Sequence, residues 1–172
     1  MLTTPVLQPV PLADLSALER VLPVLGGTVT EVLERHLGER LRTVILEQRI
    51  NLCSEPIPLL DLQVDSPVLE RHVLLRGETT STPVLYAESR IALEHLDEYV
   101  KEGLLATDQP IGRLIREHRM ETFRELLASE RASFPHLARV FGLAPRTPLL
   151  ARTYRMSSGG RPVMLIAEWF AC

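Results

Sequence analysis

The sequence lacks the features that mark several large classes of protein. It has only two cysteines, Cys53 and Cys172, and a pair so far apart predicts neither a disulfide framework nor a zinc site. No apolar stretch approaches the ~18 residues that a membrane-spanning helix needs. The start of the chain has no basic region followed by a long apolar run, as a signal peptide would. We therefore expect a reduced, cytoplasmic protein with no membrane partner.

An excess of charge of one sign is also absent. The chain carries 19 basic and 22 acidic side chains, a formal net charge of −3, which gives no support for a nucleic-acid partner. A phosphate-binding glycine loop, a Gly-x-Ser-x-Gly elbow and a His-Glu-x-x-His pair are all missing. His118 and Glu121 lie three residues apart, a spacing that can bind a metal on a helix. Without a third ligand we interpret them as a solvated pair, and we expect no metal and no cofactor.

What the sequence does contain is enough apolar material for one core. It has 172 residues, of which 45% are hydrophobic, and this size and composition are typical of a single folded domain. We expect one domain over residues 1–172, in which the proline-rich residues 1–11 form an extended arm.

Hydrophobic periodicity predicts short helices alternating with strands. Leucines at helical spacing predict a helix from Asp14 to Leu25, and Thr28 can cap a second helix at 29–36. Further helices are predicted at 96–105, 108–115 and 135–141, and strands at 41–50, 68–76, 84–93, 149–156 and 162–170. Residues 120–128 fit either type, because Met120, Phe123 and Leu127 have helical spacing while alternation is not excluded. Hairpins with helices inserted between them indicate an α+β domain with an antiparallel sheet.

The last predicted strand carries the most informative residue. Residues 162–170 are almost wholly apolar except for Glu168. An apolar strand of this kind is normally buried on both faces. A buried carboxylate is costly unless it is paired, protonated or functional, so Glu168 is a candidate site residue.

An ordered set of short motifs resembles a known family. The pieces are Leu69-Glu-Arg-His-Val-Leu-Leu-Arg-Gly77, Ala87-Glu-Ser-Arg-Ile91, Pro110-Ile-Gly-Arg-Leu-Ile115, Arg152-Thr-Tyr-Arg-Met-Ser-Ser-Gly-Gly-Arg-Pro162 and Ala167-Glu-Trp-Phe170. No single motif is specific, but together they resemble the compact branch of the chorismate pyruvate-lyase (4-hydroxybenzoate synthase) family, over roughly residues 15–170.

The resemblance implies a fold and a reaction. The fold is a chorismate-lyase-like antiparallel sheet of about six strands, with helices covering one face and a small enclosed cavity between them. The reaction removes pyruvate from chorismate and leaves 4-hydroxybenzoate without a cofactor. The alternatives are the same fold acting on another substrate, and a binder of an aromatic acid without catalysis. The oligomeric state is left open.

The resemblance also implies site residues. Arg71 matches an arginine that binds the ring carboxylate, and Ile111, just before Gly112, matches a backbone N–H donor to the same group. Val29 matches a further backbone donor. Glu168 matches a carboxylate at the far end of the ring, where it could hold the ring hydroxyl or, if protonated, donate a proton.

The chemistry of the reaction explains these residue types. Chorismate is a dianion, and an arginine offers a carboxylate two parallel N–H groups. Helix starts at Val29 and Ile111 would add free N–H groups and a favourable dipole.

Structural interpretations of the same residues remain open at this point. Arg71 could be an exposed partner of Glu88 or Arg90 across the sheet, and Glu168 could pair with an arginine such as Arg152 or Arg155. The second carboxylate of chorismate needs another cation, and the strands offer Arg49, Arg76, Arg90, Arg152 and Arg155. Of these we favour Arg155, on the expectation that it shares a face with the hairpin partner of Glu168.

Overall fold

The computed structural model describes residues 29–171 of the chain. The predicted arm at 1–11, the helix at 14–25 and the cap at Thr28 lie outside this range. Within it are four α-helices: α1 (Val29–Leu37), α2 (Glu98–Ala106), α3 (Ile111–Glu117) and α4 (Pro135–Val140). None of the helices in residues 29–171 is long and apolar enough to cross a membrane.

The described strands form one six-stranded antiparallel sheet, which confirms the predicted α+β fold. They are β1 (Leu41–Leu52), β2 (Pro67–Gly77), β3 (Pro83–Ala92), β4 (Phe123–Ser133), β5 (Pro148–Ser158) and β6 (Arg161–Phe170). Their spatial order is β1-β2-β3-β6-β5-β4. The sheet is therefore two three-stranded meanders, β1 to β3 and β4 to β6, joined where β3 pairs with β6.

Local sequence explains how the second meander turns. Gly159 and Gly160 both have positive φ, +57° and +78°. Two such residues in succession are what a tight hairpin turn requires, and glycine adopts this conformation at no steric cost. Gly159 and Gly160 therefore form the turn between β5 and β6.

The ambiguous segment at 120–128 belongs mostly to a strand. β4 begins at Phe123 and pairs with β5 along its whole length, with one irregularity at Leu127. Phe123 and Leu127 have helical spacing, but both side chains are exposed. Their spacing therefore does not mark a buried helix face. Pairing with β5 satisfies the backbone of this segment and therefore outweighs the weak periodicity.

Three helices cover one face of the sheet. In one buried cluster, side chains of α2 and α3 pack on alternate residues of the central strands. In a second cluster, Val29 and Leu33 of α1 pack on other residues of the sheet. The other face is covered by α4, through Leu137 and Phe141, and by the loop at 53–66 with its single 3-10 turn. The cavity described below lies on the face that α1 and α3 cover.

The packing of α2 yields a stability prediction. Leu104 is fully buried in the cluster under the helices, whereas Leu105 beside it is 40% exposed. We expect Leu104→Ala to lower the free energy of unfolding by about 2–5 kcal/mol, because it removes buried methyl groups and leaves a cavity. Chemical denaturation measures the change. Leu105→Ala is the matched control, expected within about 1 kcal/mol of the parent. Equal losses in the two variants would contradict this packing.

Candidate active site

A cavity lies between the sheet and the starts of α1 and α3. Its empty space, counted together with open solvent at the mouth, is about 630 Å³. The side chains on its floor come from alternate positions of every strand, as expected when one sheet face lines a cavity. The lining residues with polar side chains are Thr30, Thr43, Arg71, Ser89, Gln109, Arg124, Tyr154 and Glu168.

Arg71 is buried in the wall of this cavity. It is only 1% exposed, and its guanidinium donates to the backbone carbonyls of Leu104, at 3.5 Å, and Gln109, at 3.1 Å. The Nε atom has no hydrogen-bond partner in the described part of the chain. The interpretation of Arg71 as an exposed cross-strand partner is therefore wrong.

The electrostatic surroundings of Arg71 favour an anionic ligand. Burial lowers the pKa of the guanidinium from its ordinary value, and the nearby charge of Asp108 opposes this. Within residues 29–171 no carboxylate lies within ion-pair distance of Arg71. A buried cation whose partners are backbone carbonyls gains stability when a carboxylate binds beside it.

Glu168 reaches the same cavity from β6 and is 7% exposed. It accepts hydrogen bonds from Arg152 Nε, at 2.6 Å, and from the Tyr154 hydroxyl, at 3.1 Å. Burial, and then the charge of Glu168, raise the pKa of Tyr154, so its hydroxyl keeps its proton and donates. The pairing with Arg152 that the sequence left open is therefore present. In both contacts the oxygens of Glu168 accept the hydrogen bond.

Two helices supply the backbone part of the cavity wall. Val29, the first described residue of α1, lines the cavity together with Ile111 and Gly112, which open α3. The first N–H groups of a helix have no partner within it. α3 therefore begins where its N–H groups can serve a bound anion, while the binding roles of Ile111, Gly112 and Val29 stay predictions.

Arg155 was placed wrongly by the sequence. Glu168 pairs across the hairpin with Arg152, and Arg155 lies an odd number of residues away, so its side chain emerges on the opposite face. There it forms an exposed ion pair with Glu125, with Nη2 2.5 Å from the carboxylate. Arg155 does not line the cavity.

The other candidate arginines for a second carboxylate do not line the cavity either. Arg49 and Arg90 pair with Glu70, Arg76 donates to the carbonyl of Ser81, and Arg152 is engaged by Glu168. Besides Arg71, the lining of the cavity includes Arg124, which was missed because it lies in the ambiguous segment. Reading that segment as a strand paired with β5 would have placed Arg124 opposite Met156, on the same face as Tyr154.

These features define a class of protein: an α+β protein with a cavity suited to a small organic anion. The family model described as "Chorismate pyruvate-lyase Rv2949c-like" matches residues 25–172, and the chain belongs to this family. Among its relatives is the chorismate pyruvate-lyase of Mycobacterium tuberculosis (strain ATCC 25618 / H37Rv), 30% identical over 88% of this chain and 78% of the relative. The Mycobacterium leprae chorismate pyruvate-lyase is 29% identical over 88% of this chain and 72% of its own.

Solved structures share the fold at low sequence identity. The effector domain of PhnF from Mycobacterium smegmatis has a TM-score of 0.64 at 16% identity, covering 85% of this chain and 90% of that domain. The C-terminal domain of the histidine utilization repressor from Pseudomonas syringae pv. tomato has a TM-score of 0.57 at 15% identity, covering 76% and 91%. At this identity the likeness establishes the fold alone.

The Glu168–Arg152 pair yields a second stability prediction. Arg152→Met would leave a buried carboxylate without its cation, so we expect the free energy of unfolding to fall by about 3–5 kcal/mol. Adding Glu168→Gln to that variant should recover part of the loss, because the stranded charge is gone. Thermal or chemical denaturation measures both.

Arg155→Met is the matched control for this pair. Its ion pair with Glu125 is largely exposed, so we expect a loss of less than about 1 kcal/mol. If Arg152→Met cost no more than this control, the buried pair would not contribute as described.

Proposed function

We propose that this protein is a chorismate pyruvate-lyase, which eliminates pyruvate from chorismate to give 4-hydroxybenzoate. The observation that carries the proposal is the buried guanidinium of Arg71 in the cavity wall. Membership of the lyase family and the names of relatives about 30% identical support the choice of substrate. The polar groups of the cavity can then be matched to the substrate.

Arg71 binds the ring carboxylate of chorismate in this proposal. An arginine presents parallel N–H groups to a carboxylate, and such charge-assisted hydrogen bonds are stronger than neutral ones. The N–H groups at Ile111 and Gly112 lie close in sequence to Gln109, whose carbonyl Arg71 contacts. Side chain and helix start can therefore act on one carboxylate, with Val29 as a further donor from α1.

Glu168 takes the hydroxyl at the other end of the ring. An ionised carboxylate is an acceptor, and the ring hydroxyl of chorismate is a donor. Hydrogen bonds from Arg152 and Tyr154 hold the carboxylate of Glu168 in place. This sets the position at which Glu168 binds the ring hydroxyl. Clamped at both ends, the ring is held in one orientation.

The reaction then needs geometry more than a strong base. The bond between the ring carbon and the ether oxygen breaks, and that oxygen becomes the ketone oxygen of pyruvate. The hydrogen on the neighbouring ring carbon moves to the enolpyruvyl methylene, and the new ring double bond completes the aromatic product. Holding the side chain over that hydrogen lowers the entropic part of the barrier. No step requires a cofactor.

The direct experiment is to incubate the purified protein with chorismate and follow the absorbance of 4-hydroxybenzoate. Stoichiometric pyruvate and 4-hydroxybenzoate support the proposal. Tight binding of 4-hydroxybenzoate without turnover would instead favour a non-catalytic binder of an aromatic acid. The absence of both turnover and binding would point to another substrate.

Replacing Arg71 tests the carboxylate-binding role. We expect Arg71→Ala to lower affinity for 4-hydroxybenzoate by ~10–100-fold, the worth of a charge-assisted pair, and to remove useful turnover. Arg71→Lys should recover little, because the two-pronged geometry is lost. Titration calorimetry and the absorbance assay measure the two effects.

The control for this replacement is Arg90→Lys, which replaces a guanidinium that pairs with Glu70 away from the cavity. It should keep affinity and turnover within about twofold, since surface ion pairs contribute little. Near-normal turnover in a folded Arg71→Ala variant would remove Arg71 from the site.

Chelation tests whether the chemistry is free of metal. No group of three or more metal-ligating side chains occurs among residues 29–171, and the proposed steps use none. We expect turnover to be unchanged after exhaustive dialysis against a chelator. Activity that disappears and returns with zinc or magnesium would contradict this, and His118 and Glu121 would be the first ligands to replace.

A further inference from the structure

We propose that Arg124 binds a second carboxylate of the ligand, so that the cavity selects dianions over monoanions. The proposal deepens the proposed function and rests on it for the identity of the substrate. Its physical basis, two separate guanidinium groups in one cavity wall, is independent of which reaction takes place there.

Strand register places Arg124 on the same face as Arg71 but across the sheet. Arg71 pairs with Ser89, Ser89 with Ile166, Ile166 with Tyr154 and Tyr154 with Leu126, one row through five strands. Arg124 stands two residues from the end of that row, so its side chain returns to the same face. The two arginines are thus four strands apart, roughly 19 Å between backbones at ~4.8 Å per strand, and both reach the cavity between them.

Two of the three charged side chains that line the cavity, within the described residues, are arginines. Among the described lining residues the charged side chains are Arg71, Arg124 and Glu168. The carboxylate of Glu168 is already matched by Arg152. The guanidinium of Arg124 lies over the ring of Tyr154, 5.7 Å from its centroid, and Tyr154 lines the same cavity.

The order of these groups follows the order of groups in chorismate. Arg71 is on β2, Glu168 two strands further on β6, and Arg124 two strands beyond on β4. In chorismate the ring carboxylate is at one end, the hydroxyl at the opposite end, and the enolpyruvyl ether beside the hydroxyl carries the second carboxylate outward. With the ring between Arg71 and Glu168, that second carboxylate extends toward Tyr154 and Arg124.

This placement distinguishes the substrate from the aromatic product. Before elimination both guanidinium groups hold the ligand. Afterwards the second carboxylate leaves with pyruvate, and 4-hydroxybenzoate keeps only its contact with Arg71. Arg124 therefore contributes to binding chorismate and not to retaining the product.

Two matched probes test the selectivity without catalysis. One is 3-(carboxymethoxy)-4-hydroxybenzoate, a dianion at neutral pH, and the other is 3-ethoxy-4-hydroxybenzoate, its monoanionic counterpart of similar shape. We expect the parent protein to bind the dianion at least ~10-fold more tightly, the worth of one charge-assisted pair. Equal affinities would overturn the proposal without any variant being made.

The variant Arg124→Gln should remove that preference. We expect its affinity for the dianion to fall ~10–100-fold, with affinity for the monoanion changed by less than about threefold. In the lyase assay, the KM of this variant for chorismate should be higher than that of the parent. Its inhibition constant for 4-hydroxybenzoate should be unchanged. A parallel loss for both probes, or no loss for either, would contradict a second-carboxylate role. Arg124→Lys, which keeps the charge, should retain part of the preference and serves if the glutamine variant does not fold.

Arg155→Gln is the control, because Arg155 emerges on the opposite face of the sheet next to β4 and should leave both affinities unchanged. The two proposals fail separately. A protein that prefers the dianion through Arg124 but does not turn over chorismate would refute only the lyase function. Turnover of chorismate with an unchanged KM in Arg124→Gln would refute only the role of Arg124.

Discussion

The buried guanidinium of Arg71 connects the sheet to the helices above it, and the candidate site depends on that connection. Its two hydrogen bonds go to the carbonyl of Leu104, within α2, and to that of Gln109, just before α3. These contacts fix the loop from which α3 starts. The carbonyl groups accept hydrogen bonds from the guanidinium but do not neutralise its positive charge, so Arg71 can still attract an anion. One side chain thus both holds the loop and supplies the positive charge of the cavity.

The sheet arrangement decides which groups share the cavity. The meander of β1 to β3 contributes Arg71, and the meander of β4 to β6 contributes Glu168, Tyr154 and Arg124. The two halves meet only where β3 pairs with β6, and the backbone hydrogen bonds of that ladder set the spacing between the two sets of groups. The chain between β3 and β4 forms α2 and α3, which cover the junction. The cavity therefore lies where the two halves of the fold are joined.

Several polar atoms around the cavity lack hydrogen-bond partners within residues 29–171. They include Arg71 Nε, the Thr43 hydroxyl and the side-chain carbonyl of Gln109. An unsatisfied buried polar group costs about 1–3 kcal/mol, so such atoms are rare in a core that only has to be stable. Their concentration at one cavity is what a binding site needs, because a bound molecule or water can provide the missing partners.

The elements of the described fold could largely be predicted from the sequence, and three of the candidate residues, Arg71, Ile111 and Glu168, line the cavity. Three signals are each carried by a few neighbouring residues: apolar periodicity, the glycine pair of a hairpin turn, and the short family motifs. The family resemblance, not periodicity, singled out Arg71. The sequence also raised the pairing of Glu168 with Arg152 but did not decide it.

Only the tertiary structure decided which side chains share a face across the sheet. Arg155 was placed in the site and Arg124 was missed because both assignments depend on how the strands pair. The face of a strand residue alternates with every position, so a shift of one residue in register moves a side chain from the cavity to the opposite surface. The β5–β6 register follows from the hairpin turn, and the folded pair shows that Glu168 is opposite Arg152 rather than Arg155. The pairing of β4 with β5 joins residues far apart along the chain, such as Arg124 and Met156, and no local pattern in the sequence contains it.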